Sequence, residues 1–173
     1  MGSAEAIPST MHAVRCYGPG DYRLEEVPTP RPGPGEALVR VEACGVCASD
    51  VKCYVGAPLF WGDAHRPAYV EPPVTPGHEF VGRVAALGEG ASARWGVTVG
   101  DRVISEQIVP CQECRHCLRG DYHLCRENLI YGFRQAVQGA MAEYMLFPAK
   151  ALVHKVPDSL PIEEAALIEP LAC

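Results

Sequence analysis

Gly77-His78-Glu79-Phe80-Val81-Gly82-Arg83-Val84-Ala85-Ala86-Leu87 carries two signals at once. From His78 onward it reads as a β-strand, stopped by the turn formers Gly88-Glu89-Gly90. At its start an imidazole and a carboxylate stand side by side, and both can ligate a metal. The same strand-and-turn grammar recurs on either side. Met11–Tyr17, the turn Gly18-Pro19-Gly20-Asp21 and Tyr22–Val27 read as a hairpin. Glu36–Ala43 alternates at period two, as a half-buried strand does, while Pro28–Glu36, with four prolines and two glycines, reads as a loop. Val97–Ile104 reads as turn then strand, and Gly139–Phe147 and Ala151–Val156 read as strands. Cys47–Tyr54 reads as a short helical turn that Ser49 or Asp50 could cap, and Ile162–Ile168 as a helix. Gly56–Thr75 reads as a long loop without regular structure. Seven or eight short, mostly antiparallel strands with little helix before residue 161 predict a mainly β fold, curled into a partly open barrel that leaves few bare edges. Gly 17 and Pro 16 in 173 residues fit so many tight connections.

The length suits one domain. Residues 1–10 read as a disordered leader and 11–173 as the domain. A hydrophobic share of 48% against 21% charged residues excludes global disorder. The net charge of -6 argues against nucleic acid as a partner. No apolar run is long enough to span a membrane. The opening residues lack the basic and apolar regions of a signal peptide, and Ala6 breaks a myristoylation pattern. The expectation is a soluble, cytoplasmic protein. In a reducing compartment nine cysteines point to metal rather than to disulfides.

Four of those cysteines are closely set: Cys111-x-x-Cys114-x-x-Cys117, with Cys125 eight residues on. Four thiolates close a tetrahedral shell around zinc and leave no open position, which defines a structural site. The polar residues between them suit a loop that needs metal to be ordered. Arg115 and His116 would offset thiolate charge. An iron–sulfur cluster is the rival ligand, but the ferredoxin run continues x3-Cys-Pro and this one x7-Cys. Free or disulfide-bonded thiols are the third reading.

Cys47, His78, Glu79 and Glu169 offer a thiolate, an imidazole and two carboxylates from separate segments. Such a mixed, dispersed set is how a catalytic zinc with one open position is built. Taken singly, each has an ordinary reading: a buried small cysteine, an edge histidine, a helix-end carboxylate. Ser49 could bring a hydroxyl to the open position, and Asp50 could accept from the free ring nitrogen of His78. Both also read as helix caps.

Gly45-Val46-Cys47-Ala48-Ser49-Asp50, Gly77–Gly82, Val99-Gly100-Asp101-Arg102-Val103, the four-cysteine loop and Ala140-Met141-Ala142-Glu143-Tyr144 stand in the order seen in zinc-dependent medium-chain alcohol dehydrogenases. The resemblance runs from about Met11 to Cys173, and Glu169-Pro170-Leu171 resembles the sorbitol (polyol) and threonine dehydrogenase branch. It implies a chaperonin-10-like (GroES-like) catalytic domain with two zinc ions. Cys47, His78 and Glu169 would be ligands of the catalytic zinc, and Glu79 a ligand or exchangeable ligand. Ser49 would be the first member of a proton relay and Asp50 the partner of His78. Cys111, Cys114, Cys117 and Cys125 would hold the structural zinc. Where the family often places a relay histidine this chain has Lys52, so proton exit would use water, another group or Lys52 itself.

The implied reaction is oxidation of a secondary alcohol or polyol to a ketone, with hydride passed to NAD or NADP. Tyr54, Phe60 and Trp61 are candidates for a substrate wall, with a core or lid role as the alternative. No Gly-x-Gly-x-x-Gly follows a strand anywhere. The chain is therefore expected to be a fragment lacking the Rossmann domain, to bind zinc but no NAD(P), and to be inactive alone; the full-length enzyme could form a homo-oligomer. Two other classes compete. One is a non-enzymatic zinc-stapled β domain acting as a structural or interaction module. The other is a zinc hydrolase using Glu79 as base, which lacks any His-Glu-x-x-His helix.

Overall fold

A computed structural model describes residues 6–172. The hairpin comes first. β1 (Thr10–Gly18) pairs antiparallel with β2 (Asp21–Pro28) in a two-stranded ribbon. Met11 and Ala13 turn inward at period two, and Cys16, beside the register shift at the end of the ladder, is buried out of phase with them. The expected leader lies in part outside the described residues; within them, Ser9 already accepts a backbone bond from Thr29 and Thr10 opens β1.

The body is one five-stranded antiparallel sheet. Its members are β3 (Ala37–Cys44), β4 (Phe80–Leu87), β5 (Arg102–Ser105), β8 (Tyr144–Phe147) and β9 (Val153–Lys155), in the order β8-β3-β4-β5-β9. The short pair β6 (Ile108–Val109) and β7 (Leu129–Ile130) stands apart. The fold is the expected mainly β one, with its sheets open rather than closed into a barrel. Its main core gathers Val39, Phe80, Val84, Val103, Tyr131, Met145 and Phe147 against the sheet. Each large apolar side chain buried there contributes about 1.5–3 kcal/mol. Two register shifts in the β3–β4 ladder, at Leu38/Val39 and Val41/Ala43, bend the pair. Its last register partners are Cys44 and Phe80.

Helices are short. α1 (Ala48–Tyr54) follows β3; the predicted helix Ile162–Ile168 is shorter as α4 (Ile162–Ala165), and α5 (Ile168–Ala172) starts at its last predicted residue and runs beyond it. Two were not expected. α2 (Pro58–Trp61) sits inside the segment read as an irregular loop, where Pro58 at the start of the helix supplies a preset φ. α3 (Ala91–Trp95) runs between two left-handed glycines, Gly90 and Gly96. Under α1 and α2 lies a second core of Cys16, Cys53, Phe60, Val70, Val74 and Phe133. Among the described residues no helix is long and apolar enough to cross a membrane.

Candidate metal centres

The ends of β3 and β4 lie next to each other, and the residues just beyond them build a site. Gly45 N–H donates to the Glu79 carbonyl at 2.6 Å, tying the two exits together. A Cβ on Gly45 would collide with the Glu79 carboxylate. Gly77 holds φ +97°, and a Cβ there would lie 2.7 Å from Cys44 Sγ and 3.0 Å from Met141 Cγ. Glycine at both positions lets the Cys47 and His78-Glu79 segments close on each other.

Cys47 occupies the N-cap of α1, and its N–H donates to Asp50 Oδ2 at 2.9 Å. Asp50 thus performs the helix-start role by reaching back from the first turn. Ser49 does not cap: its hydroxyl lies 3.2 Å from His78 Nε2. The side chain of His78 is only 3% exposed, and its Nδ1 faces Asp50 Oδ1 at 3.7 Å. That is a charge contact too long for a hydrogen bond, and neither atom has a hydrogen-bond partner. Burial pushes the Asp50 carboxyl up, while His78 and the backbone of Cys47 and Gly77 draw it back down.

One ligand atom each from Cys47, His78 and Glu79 lies within 4.8 Å of the other two. A sulfur, a nitrogen and an oxygen are a fitting donor set for zinc with an open position. A proton on Nδ1, on the side of Asp50, would leave the Nε2 lone pair for a metal. Glu169 does not join this group. It is 7% exposed and lines a separate cavity of about 760 Å³ with Ile104, Ser105, His154 and Ile168. Ile168, which opens α5, packs against the cluster of Val81, Ile104, Val156 and Ala165.

Of the aromatic candidates, Phe60 stacks on Phe133 with centroids 4.9 Å apart, and Phe133 in turn lies 5.4 Å from the His78 ring. Trp61 donates its indole N–H to the Cys53 carbonyl, and Tyr54 packs edge-on against Tyr22. Lys52 is exposed on α1. Phe133 went unnoticed in the sequence because Tyr131-Gly132-Phe133 has no periodic pattern around it. Cys44 was legible as Cys44-x-x-Cys47, but its thiol is pushed up to about 12, first by burial and then by the Asp50 and Glu79 charges.

The four-cysteine lobe is gathered as the spacing predicts. Ligand atoms of Cys111, Cys114, Cys117 and Cys125 lie within 4.8 Å of one another. Backbone N–H groups already point at sulfur: Cys111 N to Cys125 Sγ and Cys114 N to Cys111 Sγ, both 3.3 Å. The backbone of Cys117 and Arg126 holds the Cys114 thiol down to about 6, which favours the thiolate a metal needs. The β6–β7 pair closes the base of the lobe. Four converging sulfurs with inward N–H donors fit a closed zinc site.

Fold and metal centres together define the class. The profile of the Alcohol dehydrogenase GroES-like domain matches residues 33–158, and the chain belongs to that family, within the zinc-binding medium-chain dehydrogenases/reductases. It is 60% identical over 167 residues to an erythritol/L-threitol dehydrogenase of Mycolicibacterium smegmatis, covering 96% of this chain and 46% of that protein. It is 44% identical over 147 residues to an L-threonine 3-dehydrogenase of Stenotrophomonas maltophilia, covering 85% and 40%. Among solved structures it is similar to the cobalt- and zinc-bound thermostable alcohol dehydrogenase of Pyrobaculum aerophilum, with a TM-score of 0.73, 35% identity and coverage of 92% of this chain and 45% of that one. The chain thus spans less than half the length of these relatives.

Proposed function

We propose that this chain is the metal-binding catalytic part of a zinc-dependent, NAD(P)-linked dehydrogenase that oxidises a secondary hydroxyl of a small polyol. The observation that carries the reading is the convergence of Cys47, His78 and Glu79 with Ser49 and Asp50 arranged on the two nitrogens of the His78 ring. Similarity to an erythritol/L-threitol dehydrogenase supports four-carbon polyols as the substrate class.

In this reading Cys47, His78 and Glu79 hold the catalytic zinc, and Cys111, Cys114, Cys117 and Cys125 the structural one. A zinc ion at the first site supplies Lewis acidity that lowers the pKa of a substrate hydroxyl. Asp50 fixes the tautomer and orientation of His78. Ser49 accepts the hydroxyl proton and hands it outward, toward water or the exposed end of α1 at Lys52. Phe133, stacked on Phe60, forms an apolar wall beside His78 that keeps water from that face of the ring.

The test uses the full-length protein with erythritol or L-threitol and NAD⁺ or NADP⁺, followed at 340 nm. Turnover is expected to require zinc. Ser49→Ala is expected to lower kcat about 10²- to 10⁴-fold with zinc content unchanged. Undiminished turnover after Cys47→Ala together with complete zinc removal would defeat the reading.

A further inference from the structure

The second core contains a group the reaction does not use. Cys16 on β1 and Tyr22 on β2 are direct cross-strand partners, and Cys53 on α1 packs over both. The two thiols and the phenol lie together in this cluster, close enough for each to act on the acidity of the others. Backbone bonds fix Cys16 further: its N–H donates to the Val74 carbonyl at 2.8 Å and its carbonyl accepts from Val74 N–H at 3.1 Å. The Trp61 indole holds the Cys53 carbonyl at 2.7 Å. Both cysteines are free, at 0% and 1% exposure. Two free thiols buried in one cluster on separately anchored elements are placed where local motion can bring them together.

We infer that Cys16 and Cys53 form a peroxide-oxidisable dithiol, whose disulfide would tie β1 to α1, the helix capped by Cys47 and carrying Ser49 and Asp50. The chemistry balances with one hydroperoxide. Cys16 sulfur attacks the O–O bond, gives a sulfenic acid and releases water or the alcohol of the peroxide. Cys53 sulfur then attacks Cys16 sulfur and displaces the hydroxyl as a second water. Two thiols lose two electrons and two protons, and both peroxide oxygens are reduced.

The order of attack follows from the environment. Hydrogen bonds from Cys53, then from Tyr22 and the Gly18 backbone, outweigh burial and bring the Cys16 thiol down to about 7. Cys53 and Tyr22 are both pushed up. Cys16 is therefore the nucleophile and Cys53 the resolving thiol. Burial does not close the route. The ribbon above the pair is two-stranded, and isolated bridges at Ala13–Ala142 and Cys16–Val74 join it to the rest. Such ribbons open locally at low cost, and hydrogen peroxide is little larger than water.

The experiment treats the zinc-loaded, full-length protein with stoichiometric hydrogen peroxide, alkylates the remaining thiols in denaturant and maps peptides by mass. One Cys16–Cys53 link per chain is expected, reversed by dithiothreitol. In Cys53→Ser, dimedone is expected to trap a sulfenic acid at Cys16. In Cys16→Ser, trapping at Cys53 is expected to be at least about tenfold weaker. Retained zinc shows that each variant is folded. Full alkylation of both cysteines after peroxide, a link from either to another cysteine, or equal trapping in the two variants would overturn the inference and leave the pair as buried apolar filler.

Discussion

Gly77→Ala should damage this protein in two ways, and Gly100→Ala in only one of them. Gly77 has φ +97° and Gly100 φ +93°, so an alanine at either position bears the left-handed backbone strain of about 1–2 kcal/mol. Their surroundings differ. A Cβ at Gly100 meets nothing within 4 Å, whereas one at Gly77 meets Cys44 Sγ at 2.7 Å, Met141 Cγ at 3.0 Å and Met141 N at 3.1 Å. The two side chains can rotate away, but the backbone nitrogen is held by its bond to the Pro76 carbonyl. Overpacking of this kind costs about 1–3 kcal/mol. The expected loss is therefore about 2–5 kcal/mol for Gly77→Ala and about 1–2 kcal/mol for Gly100→Ala. Urea unfolding at fixed free zinc reads the difference, provided the slope m is shared. Because residue 77 precedes His78, Gly77→Ala should also drop bound zinc from two per chain toward one, while Gly100→Ala keeps both. Equal midpoints for the two variants, with both zincs retained, would refute the view that a close approach at Gly77 builds the site.

Three further outcomes follow from the geometry. Asp50→Asn removes the carboxylate charge facing His78 Nδ1, and zinc affinity at the Cys47 cluster should fall about 10- to 100-fold in chelator competition, with the four-cysteine site unmoved. Cys125→Ser should lose one zinc and make the lobe tryptic-sensitive at the exposed Arg115, Arg119 and Arg126, while the main sheet keeps its far-UV signature. Glu169→Gln should keep two zincs per chain, because its carboxylate stands outside the Cys47 cluster; a fall to one would show that α5 moves to supply a ligand.

The strands were readable because alternation, turn glycines and prolines all pointed the same way: the hairpin from Thr10 to Pro28 and the pairing partners β3 and β4 fall within a residue or two of their predicted limits. The four-cysteine lobe was readable from spacing alone, since its ligands are local. What escaped had no local signature. β6 and β7 are two residues each, too short to show a period, and are paired across the whole four-cysteine excursion. Ser49 could not be separated from a helix cap by sequence, because the same residue serves either purpose and only the position of His78 decides. Glu169 was grouped with Cys47 by residue type and family resemblance; its place depends on which core α5 packs against, and that is a tertiary choice.

The two candidate metal centres differ in what organises them. Cys47, His78 and Glu79 hang from the adjacent ends of two paired strands, locked by the Gly45–Glu79 backbone bond, and His78 is further held by Asp50, Ser49 and Phe133. The sheet has already met the entropic cost of bringing these distant segments together, so metal binding there has only side chains left to adjust. The four-cysteine lobe has no such frame. Its apolar content is Ile108 with the cysteines themselves and Tyr122, and a two-residue ladder closes it. Metal must therefore supply most of its order. Chelation should accordingly unfold the lobe while the Cys47 cluster keeps its shape, which is the division expected between a zinc that builds structure and a zinc that meets substrate.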